Sequence, residues 1–392
     1  MKKYLSIFLL LFLVIGVSAQ DTNNLLDTFL DNFEKATDEI KYQVLLDAVD
    51  MGMAGFGPLY IKAVNYVIDN QASIRKNSTL NQIGQFAVNQ IAKTAYKPAT
   101  DSVWKYFTID ATNESRLIAL DAMKIIAIDN ERVIKGLCDW LEAQTSSFRA
   151  GATPDLQVIR STVETLGVWK NNVAFKPLFN AMRIKYSEEI TRAAEKAILQ
   201  LEGDPKDLYL SVIKDRPMDE KLDALKTLLR SADFKDTEKA EVALAALEVA
   251  LHTNLSDSDE KQTARLIRYT ATEELSRQKW TAAANLIIEH FNQSIDEFDK
   301  GVSAKIFLIS AITALGNMQN NNAAKRLTLY LDLLNSYTEH SQPYDEQIVL
   351  SVIQSLESLA DSISSSTLLY TRYLNYNDTI KKAALKALQS LK

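Results

Sequence analysis

Cysteine is almost missing from this chain. Cys138 is the only one, so no internal disulfide can form and the fold must hold by packing. Histidine is nearly as scarce: His252, His290 and His340 stand far apart, which excludes H-E-x-x-H zinc motifs, and one cysteine excludes paired Cys-x-x-Cys ligands. There are 11 glycines, and their densest cluster, GMAGFGPLYIKAV from Gly52, lacks both a GK[ST] and a preceding strand. It therefore reads as a left-handed helix stop and tight turn rather than a phosphate cradle. No Gly-x-Ser-x-Gly elbow occurs. An excess of basic charge is also lacking, since 44 Lys and Arg face 50 Asp and Glu. That balance weighs against nucleic acid or an anionic membrane surface as the main partner.

Long apolar runs are absent outside the first nineteen residues, MKKYLSIFLLLFLVIGVSA. Two lysines, an apolar stretch from Leu5 to Ile15 and the small residues Ser18 and Ala19 predict a secretory signal peptide over residues 1–19. An anchor retained without cleavage is the alternative. The stretch is shorter than the roughly 20 residues a membrane-spanning helix prefers, so no stable membrane insertion is expected after cleavage. Cleavage would leave 392 − 19 = 373 residues and remove Lys2 and Lys3, taking the formal charge from −6 to −8. A short lysine-led signal without disulfides points to the periplasm of a Gram-negative-type bacterium. Five Asn-x-Ser/Thr sites, starting at Asn77, Asn113, Asn254, Asn292 and Asn377, keep an extracellular destination open.

Period-two alternation is scarce and helical stripes are everywhere, beginning with Leu25, Leu26, Phe29, Leu30 and Phe33. The chain is expected to be all-α. A phrase also recurs. Ile159, Val163 and Leu166 precede Gly167, with Leu178 twelve residues after Leu166; Leu308, Ile312 and Leu315 precede Gly316, with Leu327 again twelve on. Further copies run through Ile118, Ala122 and Ile125, through Ala194, Ile198 and Leu201, and through Val349, Ile353 and Leu356. The anchors Ile125, Leu166, Leu201, Leu315 and Leu356 stand 41, 35, 114 and 41 residues apart, and 114 is three intervals of 38. A unit of this length made of two helices buries its faces only against neighbours.

The phrases VIRSTVETLGVWKNNVAFKPLF and EEITRAAEKAILQLEGDPKDLYL resemble HEAT repeats. The resemblance implies an all-α alpha-solenoid of stacked antiparallel helix pairs, a HEAT-like or armadillo-type superhelix. Residues 20–392 would form a single repeat domain of about nine to ten pairs. It also implies interaction with a protein partner; no cofactor and no metal are expected, because the zinc, calcium-loop and nucleotide motifs are missing. HEAT-like di-iron enzymes carry His-Glu dipeptides, and this chain has none.

The remaining features read mostly as structure. Cys138, among Val133, Leu137 and Leu141, is expected to be a buried thiol. Ser256, Asp257 and Glu260 predict a helix cap. Lys261, Arg265 and Arg268 predict a solvated face, while Arg160 and Arg192 are expected to bridge neighbouring repeats. Tyr370, Tyr373 and Tyr376, three apart, would make a ridge on a helix and are the partner-binding candidates. The function expected is an exported, non-enzymatic interaction scaffold. The alternative is a secreted alpha/alpha-toroid carbohydrate-active enzyme using paired carboxylates, for which the four tryptophans give few stacking platforms.

Overall fold

Apolar residues at three- and four-residue spacing, opened by Asn, Asp, Ser or Thr caps, dictate helix after helix. The computed structural model describes residues 19–52, 55–109 and 112–391. It is 79% helix, with no strand among the described residues. The expected signal peptide, but for Ala19, lies outside them.

The chain divides into two compact units, Met1–Glu202 and Gly203–Lys392. The first contains α1 (Ala19–Lys35), α2 (Asp38–Asp50), α3 (Gly57–Asp69), α4 (Ser78–Lys93), α5 (Thr100–Thr108), α6 (Asn113–Ile126), α7 (Glu131–Arg149), α8 (Leu156–Trp169), α9 (Phe175–Ile184) and α10 (Glu188–Leu199). The second contains α11 (Pro205–Asp215), α12 (Met218–Arg230), α13 (Asp236–His252), α14 (Ser258–Arg277), α15 (Ala284–Asp299), α16 (Lys305–Gly316), α17 (Asn321–Glu339), α18 (Glu346–Leu359), α19 (Ser365–Thr371) and α20 (Asp378–Ser390). Within each unit every odd-numbered helix packs on the even-numbered helix that follows it. The even-numbered helices also pack on one another in succession, α2 to α10 and α12 to α20. The core lies between the two rows, where Leu45, Ile83, Leu120, Leu166, Leu225, Ile267, Leu315 and Leu356 are all buried.

The glycines divide into two roles. Gly52, after the end of α2, has φ +62°, and its N–H donates to the Val49 carbonyl at 2.9 Å, so it stops that helix as expected. Gly167 and Gly316, expected to mark the same place, lie inside the last turns of α8 and α16 instead. A Cβ on Gly167 would stand 2.8 Å from the Ala197 Cβ, and one on Gly316 2.8 Å from the Ser355 Cα. These glycines let consecutive even-numbered helices touch. Lys170, at φ +56°, closes α8.

Two repeat anchors are off by part of a turn. Ile125 is exposed while Ile126 is buried, because the inward face of α6 runs through Ala119, Ala122, Met123 and Ile126. Leu201 falls beyond the end of α10; counted from the N-caps Asp155 and Ser187, the position matching Leu166 is Ile198.

The second unit repeats the plan of the first. Helices α7 and α17 both have 19 residues and α8 and α18 both have 14, with starts 190 residues apart (131 to 321, 156 to 346). The 3-10 turns at Asn172–Ala174 and Ser362–Ser364 and the starts of α10 and α20 keep that offset. Val158, Ile159, Val163, Leu166, Leu178, Tyr186 and Ile190 are buried, as are their counterparts Ile348, Val349, Ile353, Leu356, Leu368, Tyr376 and Ile380. Lys170 and Ala360 both have positive φ. At the front of each unit a buried lysine plays one part twice. Lys41 Nζ donates to the carbonyls of Phe33 at 2.6 Å and Glu34 at 3.1 Å; Lys221 Nζ donates to those of Ile213 at 2.6 Å and Lys214 at 2.8 Å. Each ammonium satisfies carbonyls that the end of the preceding helix leaves open.

Candidate partner-binding surface

The three tyrosines do not form one ridge. Helix α19 ends at Thr371, so Tyr373 and Tyr376 lie past it. Tyr373 is 76% exposed and Tyr370 41%, whereas Tyr376 is only 3% exposed. Tyr376 is the counterpart of Tyr186, which is also buried, and its ring meets Tyr344 edge-on at 4.8 Å between centroids. It is a core residue of the unit's last helix pair. The Tyr370 phenol, hydrogen-bonded to Glu339, is raised above the usual tyrosine range.

Beside the two exposed tyrosines the structure shows apolar side chains that the sequence reading passed over. Leu329 (63% exposed), Leu333 and Tyr337 follow one another at intervals of four along α17 and point to solvent, and Leu369 on α19 is exposed as well. Helices α17 and α19 pack on each other. The counterparts of Leu329, Leu333 and Tyr337 in the first unit are Asp139, Ala143 and Ser147, all exposed; those of Tyr370 and Tyr373 are Asn180 and Arg183. The shared plan therefore does not require apolar residues at these places. The second unit alone presents them.

The charged candidates sort differently from expectation. Arg160 does reach the next even-numbered helix, donating to Glu189 at 3.1 Å and to Glu164 at 2.9 Å. Arg192 instead pairs within its own helix, with Glu188 at 2.9 Å. Between them α8 and α10 leave an open groove of about 490 Å³, which Lys196 also lines. Lys261, Arg265 and Arg268 are not one solvated face, because α14 turns Arg268 inward. Arg268 is buried and donates to Glu297 at 2.6 Å, and Arg265 donates to the other oxygen of that carboxylate at 3.1 Å. The His290 imidazole lies fully buried beside them, lowered to about 3 by burial and by the Arg268 charge. Arg268 Nε, Thr272 Oγ1 and His290 Nε2 are buried without hydrogen-bond partners in the structure. The 3-10 turns Lys97–Ala99 and Thr281–Ala283 stand 184 residues apart, and at that offset the first unit has Gly84, Val88 and Tyr106 in these places, with the Tyr106 ring against Gly84.

Cys138 is buried as expected, and burial pushes its thiol up to about 12. Asp257 caps α14, its carboxylate accepting from the N–H groups of Asp259 at 2.9 Å and Glu260 at 3.0 Å. Trp104 and Trp140 both pack on Phe107, and Trp169 is buried. Among the described residues no cluster of His, Cys, Asp and Glu could hold a metal ion, and no helix is long and apolar enough to cross a membrane. Compared with known proteins, the chain matches no family model and no curated protein.

Proposed function

We propose that the chain is an exported, non-enzymatic scaffold that engages a protein partner, built as a HEAT-like alpha-solenoid of stacked helix pairs. The packing of even-numbered helices in succession within each unit supports the solenoid reading. One observation carries the binding reading: Tyr370, Tyr373 and Leu369 stand exposed in the second unit, while the first unit places Asn180 and Arg183 where it has the two tyrosines. Tyrosine suits such a role because its apolar ring and polar tip gain contact area at low entropic cost. The partner is a protein rather than nucleic acid, consistent with the net negative charge.

The test is capture of a partner from envelope extract by residues 20–392, with a photo-crosslinking residue at position 373 and, as control, at the exposed position 147 of the first unit. A discrete crosslinked protein at 373, lost when Tyr370→Ser is added and absent at 147, supports the reading, as does loss of capture by Tyr370→Ser/Tyr373→Ser without the crosslinker. Capture unchanged by the double substitution removes the tyrosines from the site, and no crosslink at either position removes the surface.

A further inference from the structure

The apolar stripe on α17 has a symmetry of its own. Leu329 and Tyr337 lie one helical turn either side of Leu333, and all three face solvent. Lys325 is exposed toward one end of the helix, and Asp332 and Glu339 toward the middle and the other end. We propose that this face is the contact between two copies of the chain, with α17 packed antiparallel on its twin about Leu333.

The charge pattern selects both the occupant and the direction. In an antiparallel pair Leu333 meets Leu333 of the second copy, and Leu329 meets its Tyr337. At a rise of about 1.5 Å per residue, Lys325 lies roughly 12 Å before the centre and Glu339 roughly 9 Å after it. The lysine of each copy then falls within a turn of the other copy's Glu339, twice in the symmetric pair. A parallel pair would set Lys325 against Lys325 and Glu339 against Glu339. Asp332, next to the centre, shares its height with its twin in either arrangement and does not choose between them; the paired Lys325 and Glu339 make the antiparallel arrangement the complementary one, as a two-fold contact requires. Glu339 accepts from Tyr370, and its carboxylate retains lone pairs for a lysine. The first unit shows what the same helix looks like without this contact: Asp139, Ala143 and Ser147 occupy the three positions. This pairing goes beyond the partner-binding reading and does not depend on it.

Sedimentation equilibrium of residues 20–392 gives the first result, a dimer expected in a reversible equilibrium with monomer. Leu329→Asp/Leu333→Ala/Tyr337→Ser installs the first unit's own residues, which its α7 accommodates, and is expected to weaken the dimer about 100-fold with helical content unchanged. The geometry is read by mild oxidation in a Cys138→Ser background. Leu333→Cys alone should yield a disulfide-linked dimer; Leu329→Cys should not link to itself but should link to Tyr337→Cys in a mixture of the two. A chain monomeric at every concentration, a dimer indifferent to the triple substitution, or Leu329→Cys linking as readily as Leu333→Cys would each overturn the proposal. A monomer that still crosslinks its partner at position 373 overturns the pairing and leaves the scaffold reading standing.

Discussion

At the scale of single residues, the second unit's buried ion pair is its most exacting feature. Glu297 is held by Arg268 and Arg265, two positively charged groups sharing one nearly buried carboxylate. Glu297→Gln leaves Arg268 buried without its counter-charge, and a stability loss of about 3–5 kcal/mol is expected by denaturant titration. His290 adds a dependence on pH. Its folded value, about 3, lies below the ordinary 6.5, so the fold holds it neutral while the unfolded chain protonates it. The stability it contributes is complete above about pH 6.5 and is lost as pH falls toward the folded value, at about 1.4 kcal/mol per pH unit. Between pH 6.5 and 5, above the ordinary carboxylate range, wild-type stability should fall about 2 kcal/mol further than that of His290→Gln. Equal slopes for the two proteins across that window would mean the imidazole is already charged or solvated in the fold.

At the scale of helices, what the sequence disclosed was what periodicity encodes. Stripes such as Ile159, Val163 and Leu166 are buried as read, and the caps at Asp257 and Gly52 are where turn chemistry put them. What it hid depends on which neighbour a helix face meets. Ile125 and Ile126 are equally apolar, and only the packing of α6 decides which turns inward. Arg268 reads as a surface charge until Glu297, 29 residues on, is brought beside it. Tyr376 shares its spacing with Tyr370 and Tyr373, but the helix ends between them. The glycines make the distinction measurable. Gly316→Ala drives a methyl against the Ser355 backbone at 2.8 Å and is expected to cost about 1–3 kcal/mol through displacement of α18 from α16. Gly52→Ala meets nothing within 4 Å and suffers only from its positive φ, about 1–2 kcal/mol, with no change in packing. Crystal structures of the two variants separate them: a shifted helix in the first, an unmoved one in the second.

At the scale of the whole chain, the 190-residue echo was already present among the repeat anchors, since Leu166 and Leu356 are that far apart. A reading tuned to intervals near 40 residues passes over it, because single helix pairs vary in loop length while the larger unit keeps its order of long and short helices. Each unit has its own core and its own capping lysine, Lys41 or Lys221. Chains so divided are expected to unfold in more than one step. The prediction is therefore two denaturant transitions, with Glu297→Gln lowering only the midpoint that belongs to Gly203–Lys392 and Gly167→Ala lowering only the other. Tryptophan fluorescence can assign them, because Trp104, Trp140 and Trp169 report on the first unit and Trp280 on the second. One concerted transition, moved as a whole by either substitution, would instead support a single cooperative repeat domain over residues 20–392. Stacked pairs transmit stability only through nearest-neighbour interfaces, so that outcome would demand coupling across the Glu202–Gly203 boundary as strong as the coupling within each unit.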